Sequence, residues 1–110
     1  LMNNKVVYRH IRLDTNLIFY IGYGNPDQPY SKKNRNKHWL NITNKTEYEV
    51  QILKSNLSIQ ETKELEIILV DYYGRQNLGT GILVNLTDGG DGWEGLKHSD
   101  ETKKRKKNKG

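Results

Sequence analysis

The fold of this chain is decided by one stretch, Phe19-Tyr20-Ile21-Gly22-Tyr23-Gly24. Its apolar and aromatic residues are typical of the end of a β-strand, and the glycines, followed by Asn25-Pro26-Asp27, favour a sharp turn. A second aromatic strand, Val6-Val7-Tyr8, lies upstream, and the eleven residues between Tyr8 and Tyr20 are enough for a hairpin. We therefore expect the two tyrosines to meet at one site.

The remaining sequence alternates between strand and helix patterns. Alternating polarity predicts strands, and apolar residues at helical spacing predict helices. Ser58 and Glu61 form a capping box at the start of the clearest helix, and Gly74 is placed to end it. The core face of that helix is expected to carry Leu65, Ile68, Leu69 and Tyr72. The predicted elements are strands over 5–13, 17–21 and 47–53, and helices over 35–43 and 58–74.

This order of elements predicts an α/β fold, a small three-stranded, mainly antiparallel sheet flanked by helices. Only 34% of the 110 residues are hydrophobic and the mean hydropathy is −0.90, so we expect a small core. Residues 1–95 are predicted to form the domain, and residues 96–110 a basic tail that is mobile without a partner. The sequence contains no cysteine, which excludes disulfides and thiolate metal sites. No apolar run of about 18 residues predicts a membrane span, and we expect an intracellular protein.

The positive charge is concentrated at the C-terminal end. Residues 97–110 hold seven of the chain's 18 Lys/Arg and two of its 13 Asp/Glu, so eleven of each remain in residues 1–96. This asymmetry favours a polyanionic partner, most simply nucleic acid, although a solubilising or localising tail is the alternative. The residues that we expect to contact DNA are Lys32, Lys33, Lys37, Lys97, Lys103, Lys104 and Arg105.

Several polar residues are candidates for chemistry. Glu66 lies in the apolar half of the main helix, where its carboxylate either points into a cleft, as a possible ligand of Mg²⁺, or is an ordinary solvated glutamate. Tyr8 and Tyr20 are either site residues or packing residues of the strands. Arg35 and His38, three residues apart, share a helix face and suit phosphate binding and proton transfer, or are surface charges.

These residues resemble the pattern of the GIY-YIG nucleases. The family's two motifs correspond to Val6-Val7-Tyr8 and Tyr20-Ile21-Gly22. An arginine in the first helix, a glutamate in the core helix and an asparagine near the end follow in the family's order, here as Arg35, Glu66 and Asn85. The resemblance covers residues 5–90. Within the family, this sequence is similar to the free-standing phage and homing-type members. Residues 95–104 resemble the start of the short DNA-binding repeat that often follows this domain.

The resemblance implies a metal-dependent DNA endonuclease that acts in the cytoplasm of a host cell if it is phage-encoded. Tyr8 would deprotonate or orient the attacking water, and Glu66 would hold one Mg²⁺ or Mn²⁺ ion. Arg35 would bind the scissile phosphate, Tyr20 and His38 would support the water network, and Asn85 would brace the site.

The sequence departs from the family pattern at three places. Val6-Val7 stands where Gly-Ile is usual, Tyr23 where a lysine is frequent, and Gln28 near a position where related members often have an arginine. We expect Arg35 to replace that arginine. The alternative is a catalytically inactive DNA-binding module that retains the nuclease fold.

Overall fold

The computed structural model describes residues 3–87 and residue 89, so the expectations for the basic tail lie outside the described residues. The described part is a small α/β domain with a three-stranded antiparallel sheet and two α-helices, as predicted. Short 3₁₀ turns at Gln28–Tyr30 and Gln76–Leu78 add to it. The strands are β1 Lys5–Arg12, β2 Leu17–Gly24 and β3 Tyr48–Leu57, and the helices are α1 Lys37–Lys45 and α2 Ile59–Tyr73.

β1 is the central strand of the sheet, whose order is β2-β1-β3. The hairpin of β1 and β2 is confirmed, but β2 continues beyond the expected end at Ile21 because Val6 pairs with Gly24. The alternating sequence over residues 5–13 predicts a strand buried on one face, but β1 is buried on both faces, since Val6, Val7, Tyr8 and His10 are all buried. A central strand covered on both faces loses the alternation of exposed and buried residues.

A bulge on β2 divides the core into two clusters. His10 pairs with Tyr20 and Ile11 with Ile18, so Phe19 is an extra residue on β2. Phe19 and Ile21, two residues apart, consequently pack into different clusters. The first cluster contains Val7, Ile21, Leu57, Val70 and Leu83, and the second contains Phe19, Trp39, Ile42 and Val84.

The capping box of α2 is confirmed, because the Ser58 hydroxyl accepts from the Glu61 N–H and the Glu61 carboxylate accepts from the Ser58 N–H. The expected core face is wrong in part: Ile68 is 62% exposed and Tyr72 is 79% exposed. Val70 is buried, and Leu65 and Leu69 pack against the core as predicted, together with Tyr73. α2 also buries Thr62, Lys63 and Glu66, which hydrophobic spacing alone does not predict.

Residues after α2 cover the outer edge of β2. Gly74, at a φ of 75°, ends α2, and the chain returns so that the Val84 N–H donates to the Phe19 carbonyl at 2.8 Å. This segment brings Asn85 and Leu86 beside the hairpin of β1 and β2. None of the helices within the described residues is long and apolar enough to cross a membrane.

Candidate functional site

A cavity of about 320 Å³ lies where β1, β2 and α2 meet the segment before α1 and the segment after α2; it is called the cleft. Five of the residues singled out from the sequence line it, each from a different part of the chain. They are Tyr8 from β1, Tyr20 from β2, Arg35 before α1, Glu66 from α2 and Asn85 near the end of the described residues. The cleft is also lined by Gly22, Tyr23, Gln28, Asn34, Asn36, Leu86 and Thr87.

Gly22 makes room for the Tyr8 ring inside the cleft. The two residues are directly paired across β1 and β2. A Cβ atom added at Gly22 would lie 2.3 Å from the Tyr8 hydroxyl oxygen and 2.4 Å from the ring carbon that carries it. The hydroxyl of Tyr8 therefore lies directly over the backbone of Gly22, and any side chain at residue 22 displaces it.

Arg35 is held in a fixed orientation by three hydrogen bonds. Its Nε donates to the Ser31 carbonyl, its Nη2 to the Gln28 carbonyl and its Nη1 to the Tyr8 hydroxyl, each at 3.0 Å. The guanidinium carbon also lies 5.2 Å from the ring centroid of Tyr20. A guanidinium has five N–H groups, so two of them are left for a ligand in the cleft.

Tyr8 combines burial with a charged neighbour. Burial raises the pKa of Tyr8 to about 12, while the Arg35 guanidinium acts to lower it and the Glu66 carboxylate to raise it. The hydroxyl oxygen accepts from Arg35, which leaves the hydroxyl hydrogen to donate to a third group. In the absence of a further cation, Tyr8 is therefore a neutral hydrogen-bond donor at neutral pH.

Glu66 supplies the one carboxylate among the described residues that line the cleft. It is 7% exposed, so the reading of Glu66 as a solvated surface residue is wrong. The backbone of Gly89, at a φ of 100°, passes so close that a Cβ there would lie 3.2 Å from a Glu66 carboxylate oxygen.

A single carboxylate fits one kind of metal site. Mg²⁺ is commonly held by one or two carboxylates and completes its coordination with waters and substrate phosphates. Within residues 3–87, no cluster of three or more His, Cys, Asp or Glu side chains forms a metal site made of protein ligands alone. Glu66 therefore suits an ion that binds together with a phosphate, and does not suit a permanently held structural metal.

The side chain of Asn85 binds the backbone of β2. Its side-chain amide donates to the Ile21 carbonyl at 2.8 Å and accepts from the Ile21 N–H at 3.1 Å. Because both backbone groups of Ile21 are bound, the neighbouring residues Tyr20 and Gly22 are fixed on the wall of the cleft. The amide of Asn85 thus takes the place of a partner strand.

His38 does not lie in the cleft, contrary to expectation. It is exposed and lines a separate cavity of about 170 Å³ with Gln76, Asn77, Val84 and Leu86. Its helix neighbour Trp39 points inward instead and is 1% exposed. α1 begins at Lys37, two residues later than predicted, with Asn36 as its cap, so Arg35 precedes the helix and shares no helix face with His38.

The histidine behind the cleft is His10, which the sequence analysis did not single out. It is fully buried, with its ring 5.1 Å from Tyr8 and 5.7 Å from Tyr20 between centroids. The Trp39 indole N–H donates to Nδ1 at 3.0 Å, so Nε2 carries the proton and donates to the Pro29 carbonyl at 2.8 Å. Burial lowers the pKa of His10 to about 4, and the ring is neutral at neutral pH.

Two other polar residues that the sequence analysis missed, Asn36 and Lys63, contact elements or residues that form the cleft. Asn36 caps α1 through Trp39 and also donates to the Val84 carbonyl at 3.1 Å, which joins α1 to the segment carrying Asn85. Lys63 is buried on α2, and its ammonium lies 5.7 Å from the ring centroid of Tyr23. Only Asn36 carried a sequence signal, since asparagine is a preferred cap before a helix.

Three of the seven basic residues that we expect to contact DNA lie in the part of the chain that the structure describes. Lys32, Lys33 and Lys37 are exposed near the start of α1 and are not among the residues that line the cleft. Lys97, Lys103, Lys104 and Arg105 lie outside the described residues.

Comparisons of this chain with models of known protein families, with curated proteins and with solved structures found no match.

Proposed function

We propose that this chain is a metal-dependent DNA endonuclease of the GIY-YIG type. The observation that supports this proposal best is the convergence of Tyr8, Tyr20, Arg35 and Glu66, which come from four different segments, on one cleft. They are the residues that a phosphodiester hydrolase needs: hydroxyl groups, a permanent cation and a carboxylate. The choice of DNA as the substrate rests on the family resemblance and on the basic C-terminal sequence.

Hydrolysis of a phosphodiester requires a water molecule, charge stabilisation and a proton for the leaving group. The water oxygen forms a bond to phosphorus and the bond from phosphorus to the leaving sugar oxygen breaks, while the water loses one proton and the leaving oxygen gains one. Negative charge grows on the phosphoryl oxygens and the leaving oxygen during this change. Residues of the cleft meet the first two requirements, the water and the stabilisation of charge.

Arg35 stabilises charge on the phosphoryl oxygens. Its three hydrogen bonds to Ser31, Gln28 and Tyr8 orient the guanidinium before the substrate arrives, and its two remaining N–H groups suit two oxygens of one phosphate. A cation that is oriented in advance needs little reorganisation during the reaction, which makes it effective in catalysis.

Tyr8 orients the attacking water. Arg35 occupies one acceptor position of the hydroxyl, so the hydroxyl hydrogen and a second lone pair are directed elsewhere in the cleft. Tyr20 lies beside it, 6.4 Å away between ring centroids. The Tyr8 hydroxyl thereby holds the water close to the phosphate bound by Arg35.

Glu66 is the residue that would hold the divalent ion. A bound Mg²⁺ or Mn²⁺ would stabilise charge on the phosphate and the leaving oxygen as a Lewis acid. The carboxylate is buried and is approached closely by the backbone of Gly89, so its position changes little when a ligand binds.

The second candidate function is a DNA-binding module that does not cleave. One observation favours it: three of the five N–H groups of Arg35 are already bound to protein acceptors, as in a structural arginine. In that case Arg35 would hold Tyr8 and the 28–31 segment together and would make no contact with a phosphate.

Cleavage of supercoiled plasmid DNA distinguishes the two candidates. We expect the full chain to convert plasmid to nicked or linear DNA with Mg²⁺ or Mn²⁺ and not with a chelator. Glu66→Gln keeps the size of the side chain and removes its charge, so cleavage is expected to fall at least about a hundredfold. Glu64→Gln, an exposed change on the same helix outside the cleft, is the matched control and should leave cleavage unchanged.

Two results would decide against the endonuclease. A parent protein that binds DNA but cleaves none of it with either ion supports the non-cleaving module. Equal cleavage by Glu66→Gln and the parent would show that Glu66 holds no ion required for the reaction.

A further inference from the structure

A second and larger cavity, of about 690 Å³, lies between the first 3₁₀ turn, α1 and the start of β3; it is called the groove. Its lining includes Tyr30, Lys32, Trp39, Leu40, Lys45 and Tyr48. We propose that the groove binds an unpaired stretch of the DNA strand whose scissile phosphate lies in the cleft. This inference rests on the proposed function and adds to it the form of DNA that the protein prefers.

The aromatic residues of the groove suit bases that have no stacking neighbours. Tyr30 is 61% exposed even though its ring is largely apolar, and Leu40 beside it is 42% exposed. Trp39 and Tyr48 lie deeper, with their rings edge to face at 5.4 Å. Exposed tyrosines along a basic channel are the usual platform for single-stranded nucleic acid, because every base has a face that can stack.

The charged residues of the groove suit a backbone that passes over its rim. Lys32 and Lys45 are exposed at the groove, and Glu47 is the one acidic side chain among the described residues that line it. The C-terminal end of α1, where the helix carries its negative dipole end, also borders the groove at Asn44, Lys45 and Thr46. We therefore place phosphates at the two lysines and expect the α1 carbonyls to accept from base amino groups.

The groove and the cleft share no lining residue, but they are connected through the 28–32 segment. Gln28 lines the cleft while Tyr30 and Lys32 line the groove, so one short segment contributes to both. The Arg35 guanidinium, at the cleft, lies 5.2 Å from the ring centroid of Trp39, at the groove. A strand with a phosphate at Arg35 therefore needs to cross only residues 28–32 to place its next nucleotides in the groove.

The concave shape argues for an unpaired strand rather than a duplex. Proteins that read duplex DNA insert a helix or a β-ribbon into its grooves, whereas a concave pocket cannot reach bases that are stacked inside a helix. Unpaired bases can leave the strand and enter an aromatic pocket. The groove therefore predicts a preference for DNA with a single-stranded flank beside the cleavage site.

Photocrosslinking tests where an unpaired base binds. The full chain is mixed with a short single-stranded oligonucleotide that carries iodouracil, irradiated, and digested, and crosslinked peptides are identified by mass spectrometry. We expect crosslinks at Tyr30 or Tyr48. Crosslinks found only in residues 97–110 would overturn the proposal, because the single strand would then bind the tail and not the groove.

Affinity measurements on matched variants give a second test. We expect Tyr30→Ala to weaken single-strand binding about tenfold, the size of one lost base stack, and Tyr30→Phe to bind like the parent. Tyr72→Ala, which removes a tyrosine that is 79% exposed on α2, is the control and should change nothing. A Tyr30→Ala protein that binds as the parent does, or that loses duplex and single-strand affinity equally, would contradict the proposal.

The two proposals fail separately. Glu66→Gln is expected to lose cleavage and keep both the crosslink and the single-strand affinity. If the parent crosslinks at Tyr30 and never cleaves, the endonuclease is wrong and the single-strand site stands. If it cleaves and Tyr30→Ala has no effect on binding, the endonuclease stands and the single-strand site is wrong.

Discussion

The cleft and the groove are both lined by aromatic side chains, and they differ in how their charged side chains are held. In the cleft, Arg35 makes three hydrogen bonds to protein acceptors and Glu66 is 7% exposed. In the groove, Lys32 and Lys45 are exposed side chains. The first arrangement fixes charges before a ligand arrives, while the second leaves them flexible and hydrated.

This difference separates reaction rate from affinity. A charge fixed in a partly buried site acts over a short distance at low dielectric, where salt screens it little. A charge on an exposed lysine attracts a polyanion but is weakened as salt concentration rises. Changes in the cleft should therefore alter the rate at saturating DNA, and changes around the groove should alter binding and its salt dependence.

The largest expected effect is that of Arg35→Ala. It removes the cation that faces the phosphate, so we expect a loss of about 3 kcal/mol or more of transition-state stabilisation, at least a hundredfold in cleavage rate. Gln28→Ala should hardly change the rate, because Arg35 is bound to the backbone carbonyl of Gln28 and not to its side chain. Rates at saturating DNA test this, and cleavage by Arg35→Ala at the parent rate would exclude Arg35 as the phosphate-binding residue.

A comparable effect on stability is expected from protonation of His10. Its pKa is lowered from 6.5 to about 4 by burial, so the unfolded state binds the proton more tightly than the folded state. The stabilisation is complete above pH 6.5 and is lost as the pH falls towards 4, by about 3 kcal/mol. Urea unfolding across this range measures the loss, and an NMR titration assigns it. An ordinary pKa near 6.5 for the His10 ring would contradict the prediction.

A smaller effect is expected from Gly22→Ala. The added methyl group would overlap the Tyr8 hydroxyl, so the ring or the strand must shift at a cost of about 1–3 kcal/mol. Gly79→Ala is the control, because nothing lies within 4 Å of a Cβ at residue 79, although its φ of 70° carries its own strain. Unfolding midpoints and cleavage rates of both variants are compared. A Gly22→Ala protein that cleaves better than Gly79→Ala would show that the position of Tyr8 is not required.

The smallest effect on rate is expected from Lys32→Ala/Lys33→Ala. These exposed lysines should contribute to DNA affinity, with a salt slope of about 0.7 per single-strand phosphate contact, and leave the rate at saturating DNA near that of the parent. Binding at several salt concentrations and single-turnover cleavage measure the two quantities. A rate that falls as far as it does in Arg35→Ala would show that the lysines, like the arginine, stabilise the transition state.

The sequence predicted the parts of the molecule that depend on neighbouring residues. The hairpin and the cap of α2 follow from turn residues and from Ser58 and Glu61, which are local signals. The meeting of Tyr8 with Tyr20, Arg35 and Glu66 was expected from the hairpin and the order of motifs, and all four line the cleft.

The parts that the sequence did not predict depend on partners far along the chain. His10 is buried because Trp39 and the Pro29 carbonyl bind its two ring nitrogens, and neither partner is near it in sequence. Lys63 is buried on α2 with its ammonium 5.7 Å from the ring centroid of Tyr23, which reverses the usual association of burial with apolar residues. His38 was assigned to the cleft from its spacing to Arg35, and the later start of α1 removed that relation.

The amide of Asn85 also bears on how the protein avoids aggregation. A strand at the edge of a sheet exposes N–H and C=O groups that can pair with another chain. Asn85 occupies those groups at Ile21, while β3 has no further strand beside it among residues 3–87. β3 carries Lys54 and a positive φ of 59° at Asn56, and its register with β1 shifts twice. The sheet thus has one edge closed by a side chain and one made irregular, so neither offers a long straight template for fibril growth.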